Sequence, residues 1–328
     1  MPTVAAPEHT AGVATPQPSD RPGWRQRLSR ADVTYSPYLY IAPFFVLFLV
    51  VGLIPLGYTA WVSLHDWRLD STERSFVGLA NFADLLDDEY FWNALGNTFS
   101  IFVLSSGPQI VIALGLAVLL DSGIRARSFW RLAVILPYVV TPVAVGIIFG
   151  NLFGDRFGLI NTVLEGIGSG PVQWHADTLP SHLAIASMVN WRWTGYNALI
   201  FLAAMQAIPR ELYEAAVVDG ANAWRRFISV TIPMLRPTVI FVVVTSTIGG
   251  LQIFAEPLMF DSQPGAVTGG SDRQFQTMTL YLYERAFRNL DLGAGSAVAW
   301  SLFLIIVVFA LLNYLLTRRI ASAGEARQ

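Results

Sequence analysis

The sequence predicts an all-α integral membrane protein with six transmembrane helices, and three observations lead to that class. The chain has 328 residues, of which 54% are hydrophobic and only 13% are charged, whereas soluble proteins carry roughly 25% charged residues. Six apolar stretches each reach the roughly 20 residues needed to cross the hydrocarbon core of a bilayer. Lipid offers the backbone no hydrogen-bond partner, so stretches of this length are expected to be helical.

The six predicted spans follow a polar N-terminal segment. Residues 1–37 lack the apolar core of a signal peptide and are predicted to be a disordered cytoplasmic tail. The spans cover Tyr38–Leu64, Thr98–Leu120, Leu132–Phe153, Leu183–Ala207, Thr238–Phe260 and Ala297–Leu316. Residues 38–317 thus form one transmembrane domain, and residues 318–328 are predicted to be a cytoplasmic C-terminal tail.

Charged residues and prolines are sparse inside these spans. Arg192 lies in the fourth span and Glu256 in the fifth, and the other spans contain no charged side chain. An intramembrane charge is expected to face protein or water, and Arg192 has Glu256 as a candidate partner. Prolines are predicted to kink the helices without breaking them. Those in the first three spans are Pro43, Pro55, Pro108, Pro137 and Pro142.

The placement of arginine predicts the orientation in the membrane. With the N-terminus inside, the segments 1–37, 121–131, 208–237 and 317–328 together hold 14 arginines, whereas the opposite loops hold 6. Cytoplasmic loops are enriched in arginine and lysine, so both termini are predicted to be cytoplasmic.

The composition also excludes several kinds of chemistry. The chain has no cysteine and 4 scattered histidines, so neither a thiolate nucleophile nor a metal centre is expected. All 21 basic residues are arginine, which excludes a lysine Schiff base and the lysine of a phosphate-binding loop. A net charge of −2 gives no field that attracts nucleic acid. We therefore expect that the chain is not an ordinary soluble enzyme and that it binds no cofactor or metal itself.

The segment between the fourth and fifth spans, residues 208–237, is predicted to form two short helices with a sharp corner. Pro209 suits the first helical turn, and Asp219-Gly220 is a turn signal. The first helix carries small side chains, and the second places Trp224 beside Arg225. This pattern favours a docking surface for another protein, and an amphipathic segment resting on lipid headgroups is the alternative.

Fixed spacings in this segment resemble a known family. Glu214-Ala215-Ala216, Gly220 and the Val230-x-Ile232-Pro233 ending resemble the EAA loop of permease subunits of binding-protein-dependent ABC importers. The usual ending of that loop is Ile-x-Leu-Pro, so Val230 and Ile232 depart from it mildly. The resemblance implies a type I ABC importer permease fold in a bacterial cell membrane.

The resemblance extends over nearly all of residues 38–318. The segments Phe76–Phe82, Leu136–Tyr138 and Thr268–Gly270 are similar to the maltose, glycerol-phosphate and lactose type of carbohydrate-uptake permease. Residues 246–254 and 270–276 look closest to cellobiose and β-glucoside permeases. The resemblance therefore implies import of an oligosaccharide or glycoside, with cellobiose or a β-glucoside as the specific expectation.

The resemblance also implies partners. In this family the EAA loop is a coupling helix that sits in a cleft of a cytoplasmic ATPase dimer. The chain has no GxxxxGK[ST] motif, so ATP and Mg would be used by that partner. A second homologous permease and an extracytoplasmic sugar-binding protein would complete the complex. The implied ATPase-coupling residues are Glu214, Ala215, Ala216, Asp219, Gly220, Ala221, Trp224, Arg225, Phe227 and Pro233.

A substrate path is predicted along spans four and five. Asn190, Trp193, Thr194 and Asn197 fall on one face of span four, and Thr245, Gly249, Gln252 and Glu256 fall on one face of span five. Amides and hydroxyls suit sugar hydroxyls, and aromatic rings suit the apolar sugar face. The alternative is that these groups bond between helices or line the interface with the partner permease. Further candidates are Trp191, Tyr196, Ser246, Gly250 and Phe254.

Two other functions compete with an ATP-driven importer. An ion-coupled secondary sugar transporter would need an intramembrane carboxylate relay, and Glu256 is the only acidic residue inside a span. A membrane-embedded enzyme would need paired carboxylates in a catalytic setting, and no recognisable motif supplies them. The acidic residues Asp84, Asp87, Asp88 and Glu89 form either a solvated face or a contact with the binding protein.

Overall fold

The computed structural model describes residues 24–261 and 266–325. These residues form two compact units, which meet in sequence at Tyr58 and Thr59. Most of the predicted N-terminal tail, residues 1–23, lies outside the described residues. Its remainder, residues 24–37, belongs to the helix Trp24–Leu47.

The described part of the first unit is helical. Helix α1 (Trp24–Leu47) is followed by a π-helical stretch, Phe48–Leu53, and then by α2 (Ile54–Ser63), within which the boundary between the two units falls. The wider π turns directly precede Pro55, whose ring would clash with the carbonyl four residues earlier in a regular α-helix. The stretch Tyr35–Ser63 is long and apolar enough to cross a membrane.

Among the described residues of the second unit, regular secondary structure is helical apart from one short hairpin, in which β1 (His65–Trp67) pairs antiparallel with β2 (Arg74–Phe76). Its helices are α3 (Ala80–Asp87), α4 (Glu89–Asp121), α5 (Arg127–Val139), α6 (Pro142–Leu152), α7 (Leu159–Gly166), α8 (Thr178–Gln206), α9 (Arg210–Val218), α10 (Ala223–Arg226), α11 (Ile232–Leu251), α12 (Ala255–Phe260), α13 (Met278–Tyr283) and α14 (Leu292–Glu325). π-helical turns, Phe227–Thr231 and Glu284–Arg288, join α10 to α11 and follow α13.

Four helical stretches among the described residues are long and apolar enough to span a bilayer, or five if the bent pair α5–α6 is one span. Helix α8 has 29 residues, which is long enough, but its polar side chains leave it outside that apolar class. The prediction of a mostly helical membrane protein is confirmed, and the count of six spans depends on including α8. Helix α14 runs to Glu325 and so includes most of the predicted C-terminal tail.

The third predicted span is broken, so the expectation of kinks alone is wrong there. Helices α5 and α6 meet at 88°. Thr141 is extended, as expected for a residue before proline, and its hydroxyl accepts a bond from the Ala144 N–H at 3.3 Å. Pro142 therefore begins a new helix. Pro43 and Pro108, by contrast, lie inside unbroken helices.

The fifth predicted span is broken as well. Helix α11 ends at Leu251, and α12 begins only at Ala255. The carbonyl of Ile253, released from the helical ladder, accepts bonds from the hydroxyls of Thr277, at 3.2 Å, and Thr279. These two hydroxyls satisfy a backbone group that would otherwise lack a partner in the apolar region. As a result, span five has no single helical face running from residue 245 to residue 256.

Small residues allow close packing around α8. Ala113 and Ala117 of α4 and Ala198 of α8 are fully buried in one apolar cluster. Gly195 faces α5 so closely that an added Cβ would overlap the carbonyl oxygen of Val134. This contact fixes both the separation of α5 and α8 and the rotation of α8 about its axis.

Candidate functional site

A cavity of about 360 Å³ lies between α4, α8 and the broken α11–α12 segment. This volume falls within the range of about 300–1,000 Å³ typical of small-molecule sites. Aromatic rings, amides, hydroxyls and one ion pair occupy its wall. The lining residues are Ser106, Gln109, Val189, Arg192, Trp193, Tyr196, Asn197, Thr245, Ser246, Gly249, Gly250, Gln252, Ile253, Phe254, Ala255 and Glu256.

Most predicted path residues line this cavity, but the predicted face of α8 is rotated. The lining face is Val189, Arg192, Trp193, Tyr196 and Asn197, so Val189, Arg192 and Tyr196 line the cavity although they lie outside the predicted stripe. The close approach of α5 at residue 195 sets this rotation, which the pattern of polar residues alone does not reveal.

Three predicted path residues lie elsewhere on α8. Trp191 packs against Phe149, with ring centroids 5.8 Å apart, and remains 41% exposed. The hydroxyl of Thr194 donates to the carbonyl of Asn190 at 2.6 Å, as polar residues in apolar helices often do. Trp191, Thr194 and Asn190 are not cavity-lining residues.

Three aromatic rings support one side of the cavity. Tyr138 of α5 stacks on Tyr196 with ring centroids 5.0 Å apart, and it meets Trp193 edge-on at 5.1 Å. Trp193 and Tyr196 are themselves 5.9 Å apart at 90°. Because Tyr138 restrains both lining rings, the two rings present a fixed apolar surface. Sequence reasoning missed this supporting role of Tyr138.

Amide and hydroxyl groups from three helices also meet in the cavity wall. The side-chain amide of Asn197 on α8 donates to the Oε1 of Gln109 on α4 at 2.9 Å and to the Oγ of Ser246 on α11 at 3.4 Å. Gln109 and Ser106 were not predicted, although polar residues within the apolar second span were a usable signal.

The two adjacent glycines of α11 have different roles. An added Cβ at Gly249 would meet no atom within 4 Å, so this position leaves open space beside the cavity. A Cβ at Gly250 would lie 2.7 Å from the ring of Phe102. Gly250 therefore allows α4 to approach α11, whereas Gly249 contributes room in the cavity.

The cavity wall contains one ion pair. The Nη1 of Arg192 on α8 donates to the Oε1 of Glu256 on α12 at 2.5 Å, and the two side chains are only 11% and 8% exposed. The predicted pairing of Arg192 with Glu256 is confirmed. Each charge thus has a partner in a region where an isolated charge is costly.

The predicted coupling segment, residues 208–237, forms two short helices with a corner, as expected. Gly220 lies at φ +75°, a left-handed conformation that favours glycine. Asn222 caps α10 by accepting a bond from the Arg225 N–H at 2.8 Å. Trp224 is 68% exposed and Val218 is 87% exposed. The corner therefore presents apolar side chains that have little cover within this chain.

The other implied coupling residues divide by burial. Glu214, Ala215, Asp219 and Arg225 are exposed, like the corner itself. Some of the others are partly buried, because α9 packs against the π-helical turn that precedes α11. The hydroxyls of Tyr213 and Thr231 join these two elements at 3.0 Å. The partly buried members are Ala216, Ala221, Phe227 and Pro233.

Comparison with known proteins identifies the family. Residues 109–322 match the family described as "Binding-protein-dependent transport system inner membrane component". The chain belongs to this family of permeases. It is a multi-pass inner-membrane transport subunit and not itself an enzyme.

Curated relatives of this permease match it over almost their whole length. The lactose transport system permease protein LacF of Rhizobium radiobacter is 35% identical over 285 residues, which are 86% of this chain and 93% of that protein. The arabinooligosaccharides transport system permease protein AraP of Bacillus subtilis is 32% identical over 326 residues, 95% of this chain and 98% of that protein. The predicted resemblance to carbohydrate-uptake permeases is confirmed.

A solved structure shares the fold of this permease. A bacterial ABC transporter described as importing the acidic polysaccharide alginate contains a chain with a TM-score of 0.74 and 21% identity. The match covers 90% of this chain and 99% of that chain. The predicted importer permease fold is confirmed.

A polar cluster joins α4 to α13 at the end of α4 remote from the coupling segment. Asp88 caps α4 by accepting a bond from the Tyr90 N–H at 2.8 Å, and it accepts further bonds from the Tyr281 hydroxyl at 2.6 Å and from Arg285. Burial alone would raise the pKa of Asp88, but the bonds from Tyr281 and Tyr90 and the charge of Arg285 outweigh it and lower that pKa. Asp88 is thus an internal ion-pair partner, whereas the three neighbouring acidic residues, Asp84, Asp87 and Glu89, are exposed.

Proposed function

We propose that this permease moves a sugar, either an oligosaccharide or a glycoside, through the cavity between α4, α8 and α11. The observation that carries the proposal is that an aromatic surface, Trp193 and Tyr196, and the amides of Gln109 and Asn197 line the same cavity. Aromatic rings cover the apolar face of a sugar ring, and amides exchange hydrogen bonds with its hydroxyls.

The relatives support a sugar substrate. The names of several of them specify lactose, arabinooligosaccharides, and trehalose or maltose as the transported molecules. For cellobiose or a β-glucoside the support is narrower. Of the two segments that look closest to those permeases, residues 246–254 supply most of the cavity wall from α11 and its break.

The proposal includes an ATPase that supplies the energy. The coupling segment would sit in a cleft of a cytoplasmic ATPase dimer, with Gly220 at the corner and Trp224 exposed toward the partner. A second permease and an extracytoplasmic sugar-binding protein complete the complex. Both termini are cytoplasmic in this arrangement, as the excess of arginine in the corresponding segments supports.

An ion-coupled sugar transporter is the alternative, and the ion pair argues against it. A proton relay needs a carboxylate that can exchange its proton during transport, whereas Glu256 is buried against Arg192. Proteoliposomes containing the full complex are expected to take up sugar only with ATP on the ATPase side. Uptake by this chain alone, driven by a pH gradient without ATP, would overturn the proposal.

The substrate path is tested by a pair of matched tryptophan variants. Trp193→Ala is expected to reduce sugar uptake by the reconstituted complex at least tenfold, because it removes a lining ring. Trp191→Ala removes a ring of the same kind on the same helix that lies outside the cavity, and it should retain most of the uptake. Equal uptake by the two variants would show that the path lies elsewhere.

A further inference from the structure

We propose that the ion pair between Arg192 and Glu256 makes the cavity selective for sugars without net charge. This inference rests on the proposed function, namely that the cavity holds a sugar during transport. It assigns to the pair a role in specificity rather than in packing alone.

The wall of the cavity is electrically balanced. Among its lining residues, Arg192 is the cation and Glu256 the anion, and all other lining side chains are neutral. The two charges come from different elements, α8 and α12, and meet at 2.5 Å. An incoming sugar therefore meets a wall whose charges already neutralise each other.

Glu256 is the one charged partner of Arg192 in the cavity wall. Its Nε is buried and has no hydrogen-bond partner among the described residues. The whole residue is 9% exposed, so water provides little compensation. Removing the Glu256 carboxylate from the pair would leave a buried guanidinium without its counter-ion, which is strongly unfavourable.

Because Arg192 and Glu256 neutralise each other, the cavity should discriminate among sugars by their charge. The carboxylate of an acidic sugar would compete with Glu256 for Arg192 and would leave one of the two carboxylates buried and unpaired. The ammonium group of an amino sugar would compete with Arg192 for Glu256 in the same way. A neutral sugar disturbs neither partner, because its hydroxyls bond to the wall while the pair stays intact.

Because this chain contains no cysteine, a single introduced thiol can report directly whether a sugar occupies the cavity. Gly249→Cys places a thiol at a lining position where a Cβ meets no neighbouring atom within 4 Å. The full complex in nanodiscs would be treated with a maleimide, and labelling of this chain would be read after separation on a denaturing gel. Sugars that occupy the cavity should slow this labelling.

The probes are neutral disaccharides (cellobiose, lactose and maltose), cellobiouronic acid and the disaccharide of glucosamine. With the native pair, at least one neutral disaccharide should protect the thiol, at a concentration at least tenfold lower than either charged probe requires. With Glu256→Gln added, the concentration of cellobiouronic acid needed for protection, relative to that of the neutral disaccharide, should fall at least tenfold. With Arg192→Gln added, the relative concentration of the glucosamine disaccharide should fall instead.

Several results would overturn the inference. One such result needs no variant of the pair: with the native Arg192 and Glu256, cellobiouronic acid protects the thiol as well as neutral sugars do. A second such result is that altering the pair weakens protection by every probe to the same extent. That result would show that the pair only holds α8 against α12. If the single variants fail to assemble, the exchanged pair Arg192→Glu/Glu256→Arg keeps the balance and must keep the preference for neutral sugars. Failure of every sugar to protect would instead count against the proposed function.

Discussion

At the scale of single residues, Gly195 determines how closely α5 and α8 approach. Gly195→Ala would drive a Cβ into the carbonyl oxygen of Val134, which the backbone cannot accommodate without moving. We expect a loss of stability of about 1–3 kcal/mol, as for other overpacked sites, seen as a lower midpoint of thermal unfolding in detergent. Gly249→Ala adds the same methyl group in open space, and because alanine is the better helix former it should not lower that midpoint.

Gly220 provides a second prediction at this scale, and it concerns coupling. Its φ of +75° disfavours any β-branched side chain, so Gly220→Val should distort the corner between α9 and α10. ATP hydrolysis by the complex should then continue while sugar uptake falls at least fivefold. Gly168, at φ +84° with no atom near a Cβ, is the matched control, because Gly168→Val imposes comparable strain away from the coupling segment. Normal uptake by Gly220→Val would exclude this role.

At the scale of elements, the break between α11 and α12 depends on side chains that lie 24 and 26 residues further along the chain. Thr277 and Thr279 both donate to the carbonyl of Ile253. Replacing both by valine should destabilise the protein by about 1–3 kcal/mol, because a buried carbonyl loses its partners. Thr162→Val removes a hydroxyl that bonds only within its own helix region and should have a smaller effect in the same unfolding assay.

The joint between α4 and α13 is expected to respond to pH. Since the folded-state pKa of Asp88 is lowered, its contribution to stability is complete above the unfolded pKa of about 4 and is lost as pH falls through the lower folded value. Asp88→Asn should therefore destabilise the protein at neutral pH, and the difference from the parent should shrink below about pH 4. A difference that stays constant well into that acidic range would contradict this assignment.

The sequence predicts the spans better than the breaks within them. Apolar length alone identifies where helices cross, but whether Pro142 kinks or ends a helix depends on the cap that Thr141 provides. The break between α11 and α12 depends on Thr277 and Thr279, and the sequence alone does not reveal that these two residues lie beside it in the folded chain. The rotation of α8 is likewise set by a contact with α5 at Gly195, so the residue types of the cavity were predicted more accurately than its lining face.

At the scale of the whole molecule, the coupling segment should lie on the cytoplasmic side and touch the ATPase. Because the chain contains no cysteine, Trp224→Cys introduces a single exposed thiol at the corner. In the assembled complex it should cross-link to the ATPase subunit. In right-side-out vesicles it should react with a membrane-impermeant thiol reagent only after the membrane is opened. Reaction in intact vesicles would reverse the proposed orientation.

The tight contact at Gly195 also constrains how α5 and α8 can move relative to each other. If α8 rotated or slid against α5, the backbone of α8 would either collide with the carbonyl of Val134 or leave a gap between the two helices. We therefore expect the two helices to move together, along with the aromatic rings of Tyr138, Trp193 and Tyr196 that contact each other across them. We expect any opening of the proposed sugar path to come instead from α11 and α12, whose helix is interrupted at residues 252–254, and such a movement would have to release the ion pair between Arg192 and Glu256.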